Sequence, residues 1–509
     1  MGRGLHGLPE RLRRTHNIRI QPLEADRVNS QIQHPLSMIF PSLTPKPDFE
    51  TFGFPLNDLD KKAFSRARTS FVFSTSGTKA PEWSTLSIVL NLHEKTPLIV
   101  HLVISASLAE LSWQAPNIET GEIMRSRAKE HYLVGRKKLE TLAAVVDKYG
   151  GRDTVPYHLQ VVASFWLLSL QWRRDKALYQ ELSRWMALFF IEHNLVCLLA
   201  ALEHGRVDPQ LACTARVCTW LFWTDAEACF QGHGGEFARH LTSVPGAIHQ
   251  IYNRAKPTLS ANIRNYPFDM VIDDNANERA LELLHHTWVL VQELNGLDSE
   301  ISQHDKFADL GMRMENFLQE TFSNVVSMAN SGTIPRDRQL GNADWAVANA
   351  YAFCIYLSRC AEEHDVLLPP SITTIPANPA GLFNIFHRSL HSGGPVHQHD
   401  RLQWAIFWGG IQTRDGIHQD WAKEKLEWTS LSLRKVMGIV QEEQLRTGAN
   451  IRIGKLRKLC QGGGYNEHRS SIFENPTTPG QLLDDLFTFP LSPIFNTTVE
   501  DDLSLSLQN

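Results

Sequence analysis

The chain has 509 residues, with 50 Lys plus Arg against 55 Asp plus Glu and a formal charge of −5. Hydrophobic residues at 42 % and charged residues at 21 % match ordinary globular usage. This excludes a wholly disordered chain, a collagen-like repeat and a polycation that coats nucleic acid along its whole length. The seven Cys (197, 213, 218, 229, 354, 360 and 460) lie far apart and mostly within apolar stretches. That spacing reads as buried thiols in a reducing compartment. Met1 to Ile20 lacks an apolar core and carries Arg3, Arg11, Arg13, Arg14 and Arg19, so no secretory signal is expected. His6 stands where a myristoylation signal needs Ser or Thr. Trp185 to Ala201, the longest apolar stretch, is broken by Glu192-His193-Asn194 and is too short and polar to cross a bilayer. The expectation is a soluble, intracellular protein.

In chain order, residues 1–62 are rich in Pro, Ser and Asn without a sustained period and read as a flexible basic and polar arm. Order is expected to begin near Lys61-Lys62-Ala63-Phe64. The stretches Phe71-Val72-Phe73 and around Ile272 are short and isolated, so no sheet is expected. Thr96-Pro97 is a cap followed by a first-turn proline, whose missing amide costs nothing there. Leu98 to Leu111 then runs apolar on every face, as a helix packed among others does. Ile123 to Tyr149 is amphipathic and ends at Gly150-Gly151, and His158 to Trp172 is helical. Asp208-Pro209 repeats the cap signature before Leu211 to Phe230, which Gly232 to Gly235 closes. Helical patterns continue over Asn277–Leu297, Lys306–Ala329, Asn342–Glu363, Arg401–Trp408, His418–Trp428 and Ser430–Arg446. The body over residues 63–448 is therefore predicted to be an all-α, irregular bundle of roughly ten or more helices, with no solenoid repeat.

Residues 449–509 are read as a linker and tail. After Arg469 there is no Lys or Arg. Glu474, Asp484, Asp485, Glu500, Asp501 and Asp502 alternate with Leu482, Leu483, Leu486, Phe487, Phe489, Leu491, Ile494 and Phe495. Pro476, Pro479, Pro490 and Pro493 forbid a long helix. The mixture is that of an amphipathic, disordered activation segment.

Catalytic signatures are scarce. The sequence has no G-x-S-x-G elbow, no G-x-x-x-x-G-K-[ST] loop and no H-E-x-x-H. Ser76-Gly77-Thr78-Lys79 lacks the upstream glycine of a phosphate loop. Gly232-His233-Gly234-Gly235 reads as a helix end and turn. Asp273, Asn275 and Asn277 imitate the start of a calcium loop, but Glu278 stands where Gly is needed and Leu284 where the closing carboxylate belongs, leaving a polar helix start. His387, His391, His397, His399 and Asp400 form the best metal candidate, with imidazoles four residues apart on a helix. His193 and His285-His286 read as hydrogen-bonded core or pocket histidines. The five N-terminal arginines could track phosphates or act as a nuclear address. Arg452, Lys455, Arg457 and Lys458 form a second, weaker basic patch.

The most informative stretch is Thr219 to Phe230. Trp220, Trp223 and Phe230 fall near one face, as core or as the wall of a ligand pocket. Asp225 among them must be paired or hydrogen-bonded, and Arg216 or Arg239 is a nearby candidate.

The run Trp220-Leu221-Phe222-Trp223-Thr224-Asp225-Ala226-Glu227-Ala228-Cys229-Phe230, with Gly232 to Leu241 after it, resembles the middle helical region of the fungal-specific transcription factor domain. Pro97-Leu98-Ile99-Val100-His101 to Leu108 is similar to that family's early "P-L-L-x-H" helix, and Trp404 to His418 to its closing segment. The matches fall in the expected order over residues 64–428. The resemblance implies an all-α regulatory domain that usually follows a Zn₂Cys₆ cluster, six thiolates on two zinc ions that set a helix into the major groove. No Cys precedes Cys197, so neither zinc nor a DNA-contacting residue carries over.

The resulting expectation is a nuclear fungal transcriptional regulator of pathway genes with an acidic C-terminal activation segment, and with no catalytic, cofactor-binding or metal residue assigned. Its partners would be a DNA-bound transcription factor or promoter complex, a small-molecule inducer, and a second chain in a homo- or heterodimer, with no membrane. An upstream six-cysteine segment outside this sequence is the alternative to such a partner. The rival expectation is an all-helical metal-dependent enzyme or ligand-binding protein using the His387 to Asp400 cluster.

Overall fold

The computed structural model describes residues 54–67, 83–92, 96–149, 155–172, 176–201, 208–297, 304–331, 338–391, 398–429 and 431–460. Among them are twenty-one α-helices and no strand, so the all-α expectation holds. Of the expected arm over residues 1–62, residues 1–53 lie outside the described residues, as do Phe71-Val72-Phe73, Ser76 to Lys79 and the acidic tail; residues 58–62 are not a flexible arm but the start of a capped helix.

The first four helices are α1 (Asp58–Arg66), α2 (Thr85–Asn91), α3 (Pro97–Trp113) and α4 (Ile118–Tyr149). Pro97 occupies the first position of α3, and Leu98 through Glu110 are all buried, with α1, α4 and α5 (Val155–Trp172) packed around them. Thr96 takes the extended cap conformation, but its side chain makes no capping bond; its amide bonds Leu92 instead. At Gly135 of α4 a Cβ would lie 2.7 Å from Leu102 Cδ2, so the missing side chain sets how closely α3 and α4 approach. Helix α4 begins five residues before the expected Ile123. The Asn117 side chain caps it by accepting from the Thr120 amide at 2.8 Å, and Ile118 and Ile123 point to solvent, so no apolar stripe marked that turn.

The broken apolar stretch becomes α6 (Lys176–Glu192) and α7 (Leu195–Ala200), parted at Asn194, which takes a left-handed φ of 49°. No described helix is long and apolar enough to cross a membrane. Helix α8 (Pro209–Phe230) starts as its sequence says: Asp208 accepts from the amides of Gln210 at 2.7 Å and Leu211 at 3.2 Å. Then come α9 (Glu236–Ser243), α10 (Ala247–Ala255), α11 (Thr258–Asn262) and α12 (Phe268–Asn295).

Helix α12 starts nine residues before the expected Asn277. Asp273, Asn275 and Asn277 therefore stand inside it, and Ile272 is helical. The polar run interrupted the apolar period, yet Asn277 is buried, donating to the Asp273 carbonyl at 2.6 Å and accepting from Asn342 at 2.6 Å. Neither a calcium-loop start nor a helix start describes this region.

The rest comprises α13 (His304–Asn316), a π-turn at Phe317–Thr321, α14 (Ser323–Ser331), α15 (Arg338–Glu363), α16 (Pro370–Ala377) and α17 (Ala380–His391). Four more follow: α18 (Gln398–Gln412), α19 (Gly416–Thr429), α20 (Leu431–Thr447) and α21 (Ile453–Cys460), the last lying within the expected linker. Helix α8 packs on α5, α10 and α12, α12 on α15, and α15 on α18. Their seam is aromatic. Phe230 of α8 lies 5.2 Å from Tyr356 of α15 and 5.1 Å from Trp408 of α18, Tyr356 stacks on Trp408 at 4.9 Å, and Trp288 of α12 sits 5.3 Å from Trp404. Two of the three segments that carry the family resemblance thus meet ring to ring in the core.

All seven cysteines are free thiols. Cys213, Cys218, Cys354, Cys360 and Cys460 are buried, Cys229 is half-buried and Cys197 is exposed. Burial pushes Cys213 up to about 12 and Cys229 to about 11, so both remain protonated and unreactive.

Candidate functional site

Helix α8 sends its aromatic face in two directions. Arg216, Trp220 and Trp223 follow helical spacing on one face and line a cleft of about 310 Å³, completed by Tyr252 of α10 and by Asp274, Glu278, Arg338, Trp345 and Arg401 from α12, α15 and α18. Phe230, two turns further on, belongs to the core instead. The volume lies at the small end of the ~300–1,000 Å³ typical of small-molecule sites. Trp220 and Trp223 thus wall a cleft, while Phe230 packs into the core.

The cleft is electrically uneven. Lys256 pairs with Glu278 at 2.6 Å and lies 5.5 Å over the Tyr252 ring. Arg338 pairs with Asp273 and with Asp274, the latter through both terminal nitrogens at 3.1 Å. Tyr266 donates to the other Asp274 oxygen at 2.6 Å. Arg401 lies 4.5 Å over the Trp345 ring, which meets Trp223 edge-on at 6.0 Å.

Arg216 differs. Its guanidinium donates to the carbonyls of Ala255 at 2.8 Å and Lys256 at 3.5 Å, at the C-terminal end of α10. A cation at that end of a helix meets the negative pole of the backbone dipoles. Burial nevertheless lowers its pKa, and its Nε has no acceptor. Among the described residues no carboxylate stands within ion-pair distance of it.

Behind the cleft, Tyr252 stacks on His285 with ring centroids 4.2 Å apart. His285 bonds His249 at 3.2 Å, while Trp223 donates to its other nitrogen at 3.5 Å. Burial, with His249 and His286 beside it, holds His285 far below the usual imidazole range, so it is neutral. His286 rests among the rings of Phe317 and Phe322. His285 is a buried, hydrogen-bonded core histidine, as expected, whereas His286 is half-buried, and the half-buried His193 packs on His158 and Phe189. Among the described residues no group of three or more His, Cys, Asp or Glu could hold a metal ion. Of the proposed metal cluster only His387 is described in full, against the rings of His418 and Trp421. His397 and the side chains of His391, His399 and Asp400 lie outside the described residues.

Asp225 is fully buried, and neither Arg216 nor Arg239 is its partner. Its carboxylate accepts from the Ala238 amide at 2.8 Å. Gly235 and Gly234, at φ of 89° and 80°, turn the chain so that α9 starts with no side chain of its own to cap it. The Ser183 hydroxyl, from α6, accepts from the amides of Glu236 at 3.1 Å and Phe237 at 3.3 Å, and Asp225 takes the next. Any side chain at position 234 would meet Asp225 Oδ1, with a Cβ at 2.7 Å. Burial raises the Asp225 pKa to about 6 against the pull of Ala238, Gly235 and Ser183. The Gly232 to Gly235 turn thus ends one helix and starts the next, and a backbone partner of this kind leaves no mark in the sequence.

A second buried polar cluster gave no sequence signal. Asp60 of α1 has no exposed surface, and Arg127 of α4 donates to both its oxygens at 2.9 and 2.6 Å. His131 lies 3.2 Å from the same carboxylate and 2.9 Å from His101, whose ring stacks on Phe54. Burial works to raise the Asp60 pKa, but Arg127, His131 and Asn57 together hold it below the usual value. Burial and His131 lower His101 to about 3.

The second basic patch is largely engaged. Arg457 donates to the Tyr356 hydroxyl, and Lys455 pairs with Glu443 at 2.6 Å. Arg452 and Lys458 remain exposed. The N-terminal arginines lie outside the described residues. No protein-family model, no curated protein and no solved structure matches this chain.

Proposed function

We propose that the chain is a nuclear transcriptional regulator whose helical body receives a signal and controls the exposure of the acidic, apolar segment at its C-terminal end. Promoter contact is made through a DNA-bound partner, and the body performs no bond-making chemistry. The observation that carries this reading is the order of three segments resembling the fungal-specific transcription factor domain, on α3, on α8–α9 and on α18–α19. Support comes from the way those segments are used. The α8 segment forms one wall of a ligand-sized cleft at Trp220 and Trp223 and joins the α18 segment at Phe230 and Trp408. A ligand that shifts α8 is thereby connected to the core by continuous packing.

The test is a reporter assay with the full chain fused to a heterologous DNA-binding domain. Output above that of the DNA-binding domain alone, lost on deletion of residues 470–509, is expected. Unchanged output after the deletion overturns the activation role. Site-specific promoter binding by the purified chain at physiological salt overturns the indirect mode.

A further inference from the structure

We propose that the α8 cleft binds a planar aromatic carboxylate, its ring against Trp220 and Trp223 and its acid group on Arg216. The assignment rests on the reading of the helical body as the receiver of a signal.

Charge selects the sign of the ligand. Arg216, Lys256, Arg338 and Arg401 line the cleft against two lining carboxylates, Asp274 and Glu278. Lys256 and Arg338 are already ion-paired within the protein. Arg216 instead spends its hydrogen bonds on two carbonyls and retains an Nε without an acceptor. A part-buried guanidinium with no carboxylate in ion-pair distance among the described residues is costly, and a ligand carboxylate supplies the missing charge. The fork geometry of arginine suits that group better than a point anion.

Shape selects the rest. Trp220, Trp223, Tyr252 and Trp345 supply the aromatic wall. Trp223 and Tyr252 are fixed from behind by His285, and Trp345 by Arg401 and Trp223. Rings held this way present a preorganised apolar surface on which a flat ring gains contact without ordering flexible side chains. A volume of about 310 Å³ admits one or two fused rings and is small for a nucleotide or a peptide.

The experiment is isothermal titration calorimetry of the purified full chain with 2-naphthoate, 2-naphthylmethanol and 2-naphthylmethylammonium. These probes share a ring system and differ in charge. One naphthoate per chain is expected, bound at least about tenfold more tightly than the alcohol, with the ammonium weakest. Arg216→Gln, which keeps a donor for the α10 carbonyls, should weaken naphthoate about tenfold and leave the alcohol unchanged. If that variant does not fold by circular dichroism, the ranking of the three probes on the natural chain decides. Equal binding of alcohol or ammonium, or no binding of naphthoate at low millimolar concentration, overturns the assignment. Because no promoter is present, this failure is distinguishable from silence in the reporter assay, which bears on the regulatory reading alone.

Discussion

Replacing Asp225 tests the argument about its buried carboxylate most directly. Its pKa of about 6 in the folded protein compares with 3.8 for an exposed side chain. At 1.36 kcal/mol per pH unit, ionisation costs the folded state about 3 kcal/mol that the unfolded chain does not bear. The sign follows from proton uptake. Between pH 4 and 6 the folded protein holds the proton that the unfolded chain has released, so this group lowers stability as pH rises through that window. Below pH 4 both states are protonated and the cost vanishes. Asp225→Asn keeps an acceptor for the Ala238 amide and removes the charge. It should match the natural protein at pH 4 and exceed it by up to about 3 kcal/mol at pH 7. Asp225→Ala strands the amide and opens a small cavity, and should cost about 1–3 kcal/mol at both values. Urea denaturation at a series of pH values, taken as the difference between each variant and the natural chain, isolates Asp225 from every other titrating group. A difference between Asp225→Asn and the natural chain that is flat from pH 4 to 7 would refute the reasoning.

Arg127→Met leaves the fully buried Asp60 with His131 and the Asn57 amide and should destabilise by about 3 kcal/mol at pH 7. Because the Asp60 pKa is held low, its contribution is present above pH 4 and lost as the pH falls through the folded value. The acid sensitivity of this variant should therefore be smaller than that of the natural chain in the same denaturation series. Gly410→Ala on α18 places a Cβ 2.8 Å from the Ala422 Cβ and 2.5 Å from Met437 Cε. The Ala422 atom cannot swing away, so a loss of about 1–3 kcal/mol is expected, with a correspondingly lower thermal midpoint; an unchanged midpoint contradicts the close packing of α18, α19 and α20. Elemental analysis of the purified protein should find no stoichiometric metal. Metal that is present and lost on His397→Ala and His399→Ala would revive the rival reading as a metal-dependent enzyme.

The sequence discloses this architecture wherever a signal is local. Pro97 and the unbroken apolar run after it locate α3, and Asp208-Pro209 locates α8 to the residue. Signals fail where the partner is remote or has no side chain. The start of α12 was hidden because Asp273 and Asp274 look solvated until Arg338, in another helix, arrives to pair with them. Asp225 called for an ion pair or a hydrogen bond, and the partner is a backbone amide rather than either candidate arginine. Part of the candidate site was visible as Trp220 and Trp223 on one face of a helix, but Arg216 was read as a partner for Asp225 rather than as a neighbour of those rings. The rest comes from α10, α12, α15 and α18, whose convergence no single stretch encodes.

The first turn of α9 carries a further implication for how the molecule assembles. A helix of eight residues is too short to persist alone in water, and this one starts at a glycine, so its leading amides are served by Ser183 and Asp225 from earlier in the chain. It therefore cannot act as a nucleus and forms only against α6 and α8, on each of which it packs, which makes it a reporter of their correct placement. An isolated peptide spanning residues 234–244 should be random coil, and hydrogen exchange at Ala238 should open only together with the packing of α9 on α6 and α8.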